Sequence, residues 1–584
     1  MTIPRFPATL LAALAPLALA ACATTPSPPA PVSIKLIGLN DFHGNLEPPK
    51  QSVEVEAPGG QKVRVPVGGA AWLADAVDRY RAKNPNTLVV AAGDLIGGTP
   101  ITSSLFLDEP AIGVMNRIGL DFNAVGNHEF DRGRHELLRM QNGGCEKLAA
   151  REPCQVERPF TGAKFRFLAA NVRTENGNTL FPATAIRTFG KGRGAVKVGL
   201  IGLTLKDTET LVTPAGIAGL RFEDEATTIN ALVPELKRKG ADAVVVLIHM
   251  GLYTTVAPND KSCGGVSGDL LKVLGKLDPQ IDVVVSGHTH WAYVCDYGQI
   301  DPARPFLVTS AGLWGQYITD IDLSIDPAAS RVVSRRADNI AVQSQSYTGT
   351  RGTVTTSALV EQFQPRADVA SYVQTYVEAA RRSAERVVGR VSGNAPKPPL
   401  ATNESQLGNL VADAQLAAAR PLGAQLALMN NTGLRQDLFP GEGGAVTFGA
   451  IYAVQPFAND LIVKTFTGAQ LKALLEQQFD GQSFDQAFSP SANVAFAFDQ
   501  SRPLGARVFD IAIDGRPLDP AANYRVAMNS FLASGGDSFT VFRDGTNAVV
   551  GPQDLDALEA WIAAVPQREL PPLGRVRNLT PAAP

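Results

Sequence analysis

From about residue 32 onward, short apolar runs alternate with amphipathic stretches, the pattern of an α/β domain. Residues 33–39, 87–92, 122–125, 165–170, 196–203, 241–248 and 281–285 read as strands. Between residues 68 and 83, Ala71, Leu73, Ala74 and Val77 recur at helical spacing with charges on the other side, which predicts a helix packed on the sheet. The pattern breaks between residues 343 and 366, a Ser/Thr-rich stretch without apolar period that marks a domain boundary. Beyond it, residues 367–388 read as a helix with cations late in its course, and the PKPP at 396–399 ends regular structure. A second α/β unit follows to about residue 574, and the PPLGRVRNLTPAAP tail reads as frayed. The two halves are not copies of one another.

The N-terminus departs from this pattern. One cation, Arg5, precedes an apolar run from Ala8 to Ala21, the layout of an export signal and too short to span a bilayer comfortably. No other apolar run reaches about 18 residues, so no other span is expected. The run closes on Leu19-Ala20-Ala21-Cys22. Small residues before a cysteine resemble the lipobox of bacterial lipoproteins, which implies cleavage before Cys22 and lipidation of that residue. An ordinary signal peptide with an incidental cysteine is the alternative. The Pro-rich TTPSPPAP suits an extended tether.

The 584 residues allow two to four domains of about 150 residues each. Lys and Arg number 53 against 56 Asp and Glu, so no overall positive field exists to hold duplex nucleic acid. An apolar content of 45% with ordinary Gly and Pro usage excludes collagen-like and wholly disordered chains. Setting Cys22 aside leaves Cys145, Cys154, Cys263 and Cys295, an even number that suggests two bridges in an oxidising compartment. Of three connectivities, Cys145 with Cys154 and Cys263 with Cys295 is favoured: the first pair closes a short polar loop and the second flanks a single segment. Free buried thiols are the alternative.

Several strands finish in residues able to bind metal. After the first comes Asn40-Asp41-Phe42-His43, where two-residue spacing in extended chain puts both side chains on one side. The second ends in Gly93-Asp94 and the third in Gly126-Asn127-His128-Glu129-Phe130-Asp131. A later strand ends in His249, and the last in Gly287-His288-Thr289-His290. Five of the six histidines sit at these ends, and only His135 lies elsewhere. Singly each motif is weak, but five in order at the C-terminal ends of strands, where open sheets place their sites, are not chance.

This ordered set resembles the calcineurin-like metallophosphoesterases, and GNHEFD with GHTH resembles their 5′-nucleotidase branch. The resemblance implies two divalent cations (Mn, Zn, Fe or Co) in a layered α/β/β/α domain, followed by a second α/β substrate-binding domain joined by a helix. Asp41, His43 and His290 would hold one metal, Asn127, His249 and His288 the other, and Asp94 would bridge them. His128 would stabilise or protonate the leaving oxygen, oriented by Asp131. The implied organisation is a lipoprotein signal over 1–22, a tether over 23–31, the metal domain over 32–345, a linker and helix over 346–390, the substrate domain over 391–575 and a tail over 576–584.

The back half resembles the family's C-terminal domain in Glu404-Ser405-Gln406-Leu407-Gly408-Asn409-Leu410, Asn430-Asn431-Thr432-Gly433-Leu434-Arg435, Pro456-Phe457-Ala458-Asn459 and Asn529-Ser530-Phe531-Leu532-Ala533-Ser534-Gly535-Gly536-Asp537. The resemblance implies that Phe457 and Phe531 sandwich a nucleobase, Asn459 and Asp537 hydrogen-bond base and ribose, and Arg435 grips phosphate. The stretch before Glu404 reads Leu400-Ala401-Thr402-Asn403, without the arginines that related nucleotidases carry there. The expectation is therefore hydrolysis of phosphate esters of small nucleotides by an exported bacterial enzyme, lipid-anchored through Cys22 and facing the periplasm. A 2′,3′-cyclic or 3′-nucleotide, or a nucleotide sugar, is the alternative substrate. A sulfur-ester hydrolase and a catalytically inactive nucleotide-binding lipoprotein are more distant readings. A hinge at the connecting helix would let the second domain carry substrate to the metals. Oligomeric state is not legible.

Overall fold

The computed structural model describes residues 1–2, 29–149, 151–349, 352–398, 402–457, 459–480 and 486–581. The export signal, Cys22 and most of the tether lie outside the described residues, as do Leu400, Ala401 and Ala458.

The seven expected strands are present. One six-stranded sheet runs in the order Arg331–Ala341, Tyr317–Asp326, Val32–Leu39, Thr87–Ala91, Phe122–Ala124, Arg166–Leu168. The second runs Ala292–Asp296, Leu307–Ala311, Val283–Ser286, Ala243–His249, Val196–Thr204, Thr184–Phe189. The strands are apolar on both sides because both faces of each sheet are covered. Ile34, Leu36, Leu88 and Val90 meet Val198, Leu200, Val245 and Leu247 between the sheets, while Ile37, Leu39, Val89 and Ala91 point outward onto helices. Each such buried Val or Leu contributes about 1.5–3 kcal/mol. The helix Ala70–Ala82 buries Ala71, Leu73, Ala74 and Val77 as its spacing requires, and with Glu109–Ile118 it covers the first sheet. Glu225–Arg238 and Leu270–Leu274 cover the second. The result is the layered α/β/β/α domain.

The second domain has a five-stranded sheet, Phe488–Pro490, Leu426–Asn430, Asn523–Asn529, Asp460–Thr467 and Thr546–Gln553, and a four-stranded one. Ile101 of the first domain joins the second domain's apolar cluster with Leu407, Leu410, Ile451 and Tyr452, so the two domains share buried surface.

Three boundaries differ from the sequence reading. The Ser/Thr-rich linker contains a hairpin, Tyr347–Gly349 with Gly352–Val354. The connecting helix spans Ala367–Ala384 rather than 367–388, because Val387–Arg390 pairs as a strand with Ala445–Thr447. Its buried Val369, Tyr372, Val373, Tyr376 and Ala380 pack on the first domain, which leaves residues 385–386 as the junction. The tail is not frayed throughout: Val576–Asn578 forms a strand parallel to Val494–Phe498, with Val576 buried. Cys145–Cys154 and Cys263–Cys295 are bonded. Among the described residues no helix is long and apolar enough to cross a membrane.

Candidate active site

Val32–Leu39, Thr87–Ala91 and Phe122–Ala124 run parallel, as do Ala243–His249 and Val283–Ser286 in the facing sheet, so their C-terminal ends gather at one edge of the two layers. The backbone then turns sharply. Asp41, His43, Asp94, His288 and His290 all adopt positive φ, between 45° and 73°. Non-glycine residues in this region cost about 1–3 kcal/mol each and concentrate at functional sites. Gly93 and Gly126 sit between them because a side chain would not fit: a Cβ on Gly126 would lie 2.2 Å from Asp94 Oδ1.

These turns bring the seven expected ligands together. Potential ligand atoms of Asp41, His43 and His290 lie within 4.8 Å of one another, as do those of Asp94, His249 and His288. Asn127 Oδ1 is 3.0 Å from His249 Nε2 and 3.1 Å from His288 Nδ1. Asp94 Oδ2 lies between the groups, 3.0 Å from His249 Nε2 and 3.7 Å from His43 Nε2.

The donor set fits cations. His43 Nδ1 lies 2.8 Å from the Gly97 carbonyl and His249 Nδ1 lies 2.7 Å from the Ala92 carbonyl, so each Nδ1 carries the proton and each Nε2 offers a lone pair inward. The His43 lone pair faces His290 Nε2 at 3.2 Å, and that of His249 faces two oxygens at 3.0 Å. Acceptor set against acceptor is repulsive unless a cation lies between. Burial lowers His43 and His288 to about 3, which keeps these imidazoles neutral, the form that binds metal. Burial also pulls on His249, but the charges of Asp94 and Asp41 outweigh it and push it up to about 10. In a metal-free site that extra proton satisfies Asp94, and a bound cation would replace it.

Supporting contacts fix these groups. Asn40 Nδ2 and the His288 amide donate to Asp41 Oδ2 at 2.7 and 2.9 Å. Glu129, inside the GNHEFD motif but without an assigned role from sequence, is 2% exposed. Its carboxylate accepts from the backbone amides of Asp94, Leu95 and Gly126 at 2.9, 2.9 and 2.7 Å, tying two ligand-bearing turns together. The only signal in the sequence was its place in the motif.

His128 stands at the edge of the cluster. Its backbone amide donates to Asp94 Oδ1 at 2.9 Å and its Nδ1 lies 2.9 Å from Asp131 Oδ2, which leaves Nε2 without a hydrogen-bond partner among the described residues. Burial works against the charged ring, but Asp131 and Asp94 prevail and raise its pKa.

A cavity of about 410 Å³ opens from this edge and is lined by both domains. Asn127, His128, His288 and His290 form one side, and Arg435, Phe457, Asn459, Phe531 and Asp537 form the other. The Phe457 ring lies parallel to the His128 imidazole, centroids 5.7 Å apart. Phe531 packs on the bare face of Gly536, where a Cβ would meet its ring at 2.5 Å. Asp537 is held by Thr432 Oγ1 at 2.5 Å and Asn430 Nδ2 at 2.9 Å, and Asn459 Nδ2 donates to Asp554 at 3.3 Å. The Arg435 guanidinium is 5.6 Å from the Phe457 ring centroid and makes no side-chain hydrogen bond or ion pair among the described residues. Lys397 also lines the cavity. It belongs to the PKPP segment, which the sequence reading took only as a breaker. Burial and the neighbouring Arg435 charge lower its pKa.

Two facing sheets with two candidate metal-binding clusters at their C-terminal edge are the arrangement of a metallophosphoesterase fold. Residues 34–292 match the calcineurin-like phosphoesterase family and residues 387–544 match the 5′-nucleotidase C-terminal domain. The chain belongs to the 5′-nucleotidase family of calcineurin-like phosphoesterases. Among curated relatives, it is 29% identical over 535 residues to the endonuclease YhcR of Bacillus subtilis, covering 91% of this chain and 40% of that one. It is 31% identical over 546 residues to the cell wall protein Lmo0130 of Listeria monocytogenes, covering 88% of this chain and 64% of the relative. The chain therefore spans less than two thirds of the length of either. Its fold superposes on the crystal structure of a 5′-nucleotidase precursor from Thermus thermophilus with a TM-score of 0.73 and 25% identity, covering 94% of this chain and 99% of that one.

Proposed function

We propose that the protein hydrolyses phosphate esters of small nucleotides, as a 5′-nucleotidase does, releasing nucleoside and phosphate outside the cytoplasm. The observation that carries this reading is the single cavity that joins the two ligand groups and His128 to an unpaired guanidinium and two phenyl rings. Asp41, His43 and His290 would hold one divalent cation, Asn127, His249 and His288 a second, with Asp94 shared. Such cations, of Mn, Zn, Fe or Co type given the mixed Asp, Asn and His donors, supply Lewis-acid polarisation of the phosphoryl group and a more acidic water.

The chain's own residues supply the rest. Arg435, with no protein partner competing for its fork, is free to hold the phosphoryl oxygens, and Lys397 adds the second cation that the Leu400–Asn403 stretch lacks. This restores support for a terminal monophosphate. Phe457 and Phe531 flank a base, and the held carboxylate of Asp537 has lone pairs left for ribose hydroxyls. His128, kept protonated by Asp131, gives its Nε2 proton to the departing oxygen. The domains would part at residues 385–386 to exchange substrate and product.

Two disulfides support an oxidising compartment, and with the Cys22 motif they support export and lipid anchoring. The test is phosphate release from 5′-AMP, 3′-AMP, 2′,3′-cyclic AMP and a nucleotide sugar by protein lacking residues 1–31, loaded with Mn²⁺, with and without chelator. Chelator-sensitive release, greatest from 5′-AMP, is expected. No release from any nucleotide despite bound metal would refute the reading.

A further inference from the structure

The end of the first domain opposite the ligand clusters has no part in the mechanism. The parallel strands of both sheets start there, and the chain enters the fold there, from Pro29 into the strand Val32–Leu39. The strands Thr184–Phe189 and Val196–Thr204 are joined at this end by Gly190-Lys191-Gly192-Arg193-Gly194-Ala195. Pro29 lies against this turn: a Cβ on Gly194 would sit 3.9 Å from the Pro29 Cβ, whereas one on Gly192 would have no neighbour within 4 Å. The tip therefore projects into solvent beside the point of entry, with Lys191 and Arg193 both exposed.

The surroundings are basic. From Asn176 to Leu205 the chain carries Arg187, Lys191, Arg193 and Lys197 and no acid, within a protein of net charge −3. Neighbouring segments add Arg166 and Lys239: the Arg166 amide donates to the Asp121 carbonyl at 3.1 Å, and Lys197 Nζ donates to the Lys239 carbonyl at 3.1 Å. Asp121, Asp242 and Glu235 stand among these cations and are already engaged. Asp121 accepts from the Val89 amide at 3.0 Å and pairs with Arg187 at 3.5 Å, Asp242 accepts from the Lys197 amide at 2.7 Å, and Glu235 pairs with Lys239 at 2.5 Å. Arg166, Lys191 and Arg193 make no side-chain hydrogen bond or ion pair among the described residues.

A cluster of solvated cations by itself implies no partner, but its position does. Cys22 precedes Pro29 by seven residues, a step of at most about 25 Å even when fully extended. An acyl group on Cys22 holds the bilayer within that distance of Pro29, on the side of the basic turn, and residues 23–28 bring no acid to neutralise it. The 8-residue strand Val32–Leu39 puts about 26 Å between this end and the turn that carries Asp41.

We propose that this basic end, centred on Lys191 and Arg193, docks on the anionic phospholipid headgroups of the bilayer that holds Cys22. Docking there turns the catalytic edge outward, away from the membrane. The inference rests on the anchoring reading of Cys22. Each lysine or arginine close to anionic headgroups strengthens partitioning about five-fold.

The test uses the mature chain from residue 22 with Cys22→Ser, which removes the acyl group. Flotation measures its partitioning onto vesicles of phosphatidylcholine alone and onto vesicles holding about one third phosphatidylglycerol. Binding to the anionic vesicles only, lost as salt rises from about 0.05 to about 0.5 M, is expected. The double variant Lys191→Gln, Arg193→Gln should lower the partition coefficient about 25-fold. Arg382→Gln with Arg516→Gln removes the same charge from exposed positions of the connecting helix and the second domain, and should leave the coefficient within about two-fold. Equal binding to both vesicle types, or equal losses in the two double variants, overturns the proposal. A dimer in solution that Lys191→Gln, Arg193→Gln dissociates would assign the patch to a second copy and overturn it as well. The lipidated mature protein gives a second readout: tryptic cleavage after Lys191 and Arg193 should be about ten-fold slower on anionic than on neutral vesicles, with cleavage after the exposed Lys50 unchanged. Equal rates on the two vesicle types overturn the docking. Mass spectrometry that finds no acyl group on Cys22 would refute the anchoring reading separately, since flotation of the Cys22→Ser chain does not depend on it.

Discussion

Replacing Arg435 with alanine separates binding from folding more cleanly than any other change in the cavity. The guanidinium makes no side-chain hydrogen bond or ion pair among the described residues, and its closest marked interaction is with the Phe457 ring at 5.6 Å. Burial lowers its pKa, offset in part by the charges of Asp94, Asp131, Asp41 and Asp537, but the group remains a cation at neutral pH. A phosphate gripped by its fork gains two charge-assisted hydrogen bonds at about 1.5–3 kcal/mol each. Because Arg435 is partly exposed, about 2–4 kcal/mol of that survives solvent screening. At about 1.4 kcal/mol per decade this predicts a 30- to 1000-fold fall in kcat/KM for 5′-AMP. Arg435→Lys, which keeps the charge but not the fork, should lose about ten-fold. The folded state loses only a cation–π contact of about 0.5–1 kcal/mol and is relieved of a partly desolvated charge. The unfolding midpoint should therefore move little. Steady-state phosphate release and calorimetry on the same samples make the test. Activity of Arg435→Ala within three-fold of wild type would refute the phosphate grip, and a fall of several degrees in the midpoint alongside lost activity would show that the residue braces the fold instead.

Other outcomes follow from the same geometry. Asp131→Asn removes the carboxylate 2.9 Å from His128 Nδ1; turnover should fall about 10- to 100-fold with metal content unchanged by elemental analysis, and parallel loss of metal would contradict the assignment. His249→Ala withdraws a lone pair 3.0 Å from both Asp94 Oδ2 and Asn127 Oδ1, so the purified variant should retain about one metal equivalent where the wild type holds two; two equivalents in both would disprove the ligand role. Burial pushes Asp554 up to about 7. The folded protein then holds that proton more tightly than the unfolded chain, and stability falls as pH rises from about 4 to about 7. Asp554→Asn should lose this dependence, worth up to about 3 kcal/mol between pH 5 and 8; identical pH profiles of the two unfolding midpoints would show that the carboxyl titrates normally.

Much of the site was legible because its logic is local. A two-residue spacing in extended chain sets Asp41 beside His43 whatever the rest of the chain does, and apolar runs ending in Asp, Asn or His mark strand ends without reference to partners. The strands themselves were readable for a related reason: sheets covered on both faces leave continuous apolar runs, so 241–248 reads as a strand in the sequence alone and the strand forms over Ala243–His249. Boundaries were less secure where pairing is remote. The strand Val387–Arg390 exists because Ala445–Thr447 lies beside it, and Val576–Asn578 because Val494–Phe498 does. Local propensity said helix and frayed tail.

The sequence by itself determined the chemistry: which side chains could bind cations, where the chain would turn to present them, and which domain would face them. Only the tertiary structure decided the rest. It put the Glu129 carboxylate against three amides of two different turns and brought Lys397 out of a proline segment into the cavity with Arg435. The physical reason is range. Side-chain identity and spacing of a few residues are carried by the covalent chain, whereas the partner of a buried or rim-exposed group is chosen by strand order and domain contact, such as the His288 amide on Asp41 across 247 residues, and no local pattern encodes those.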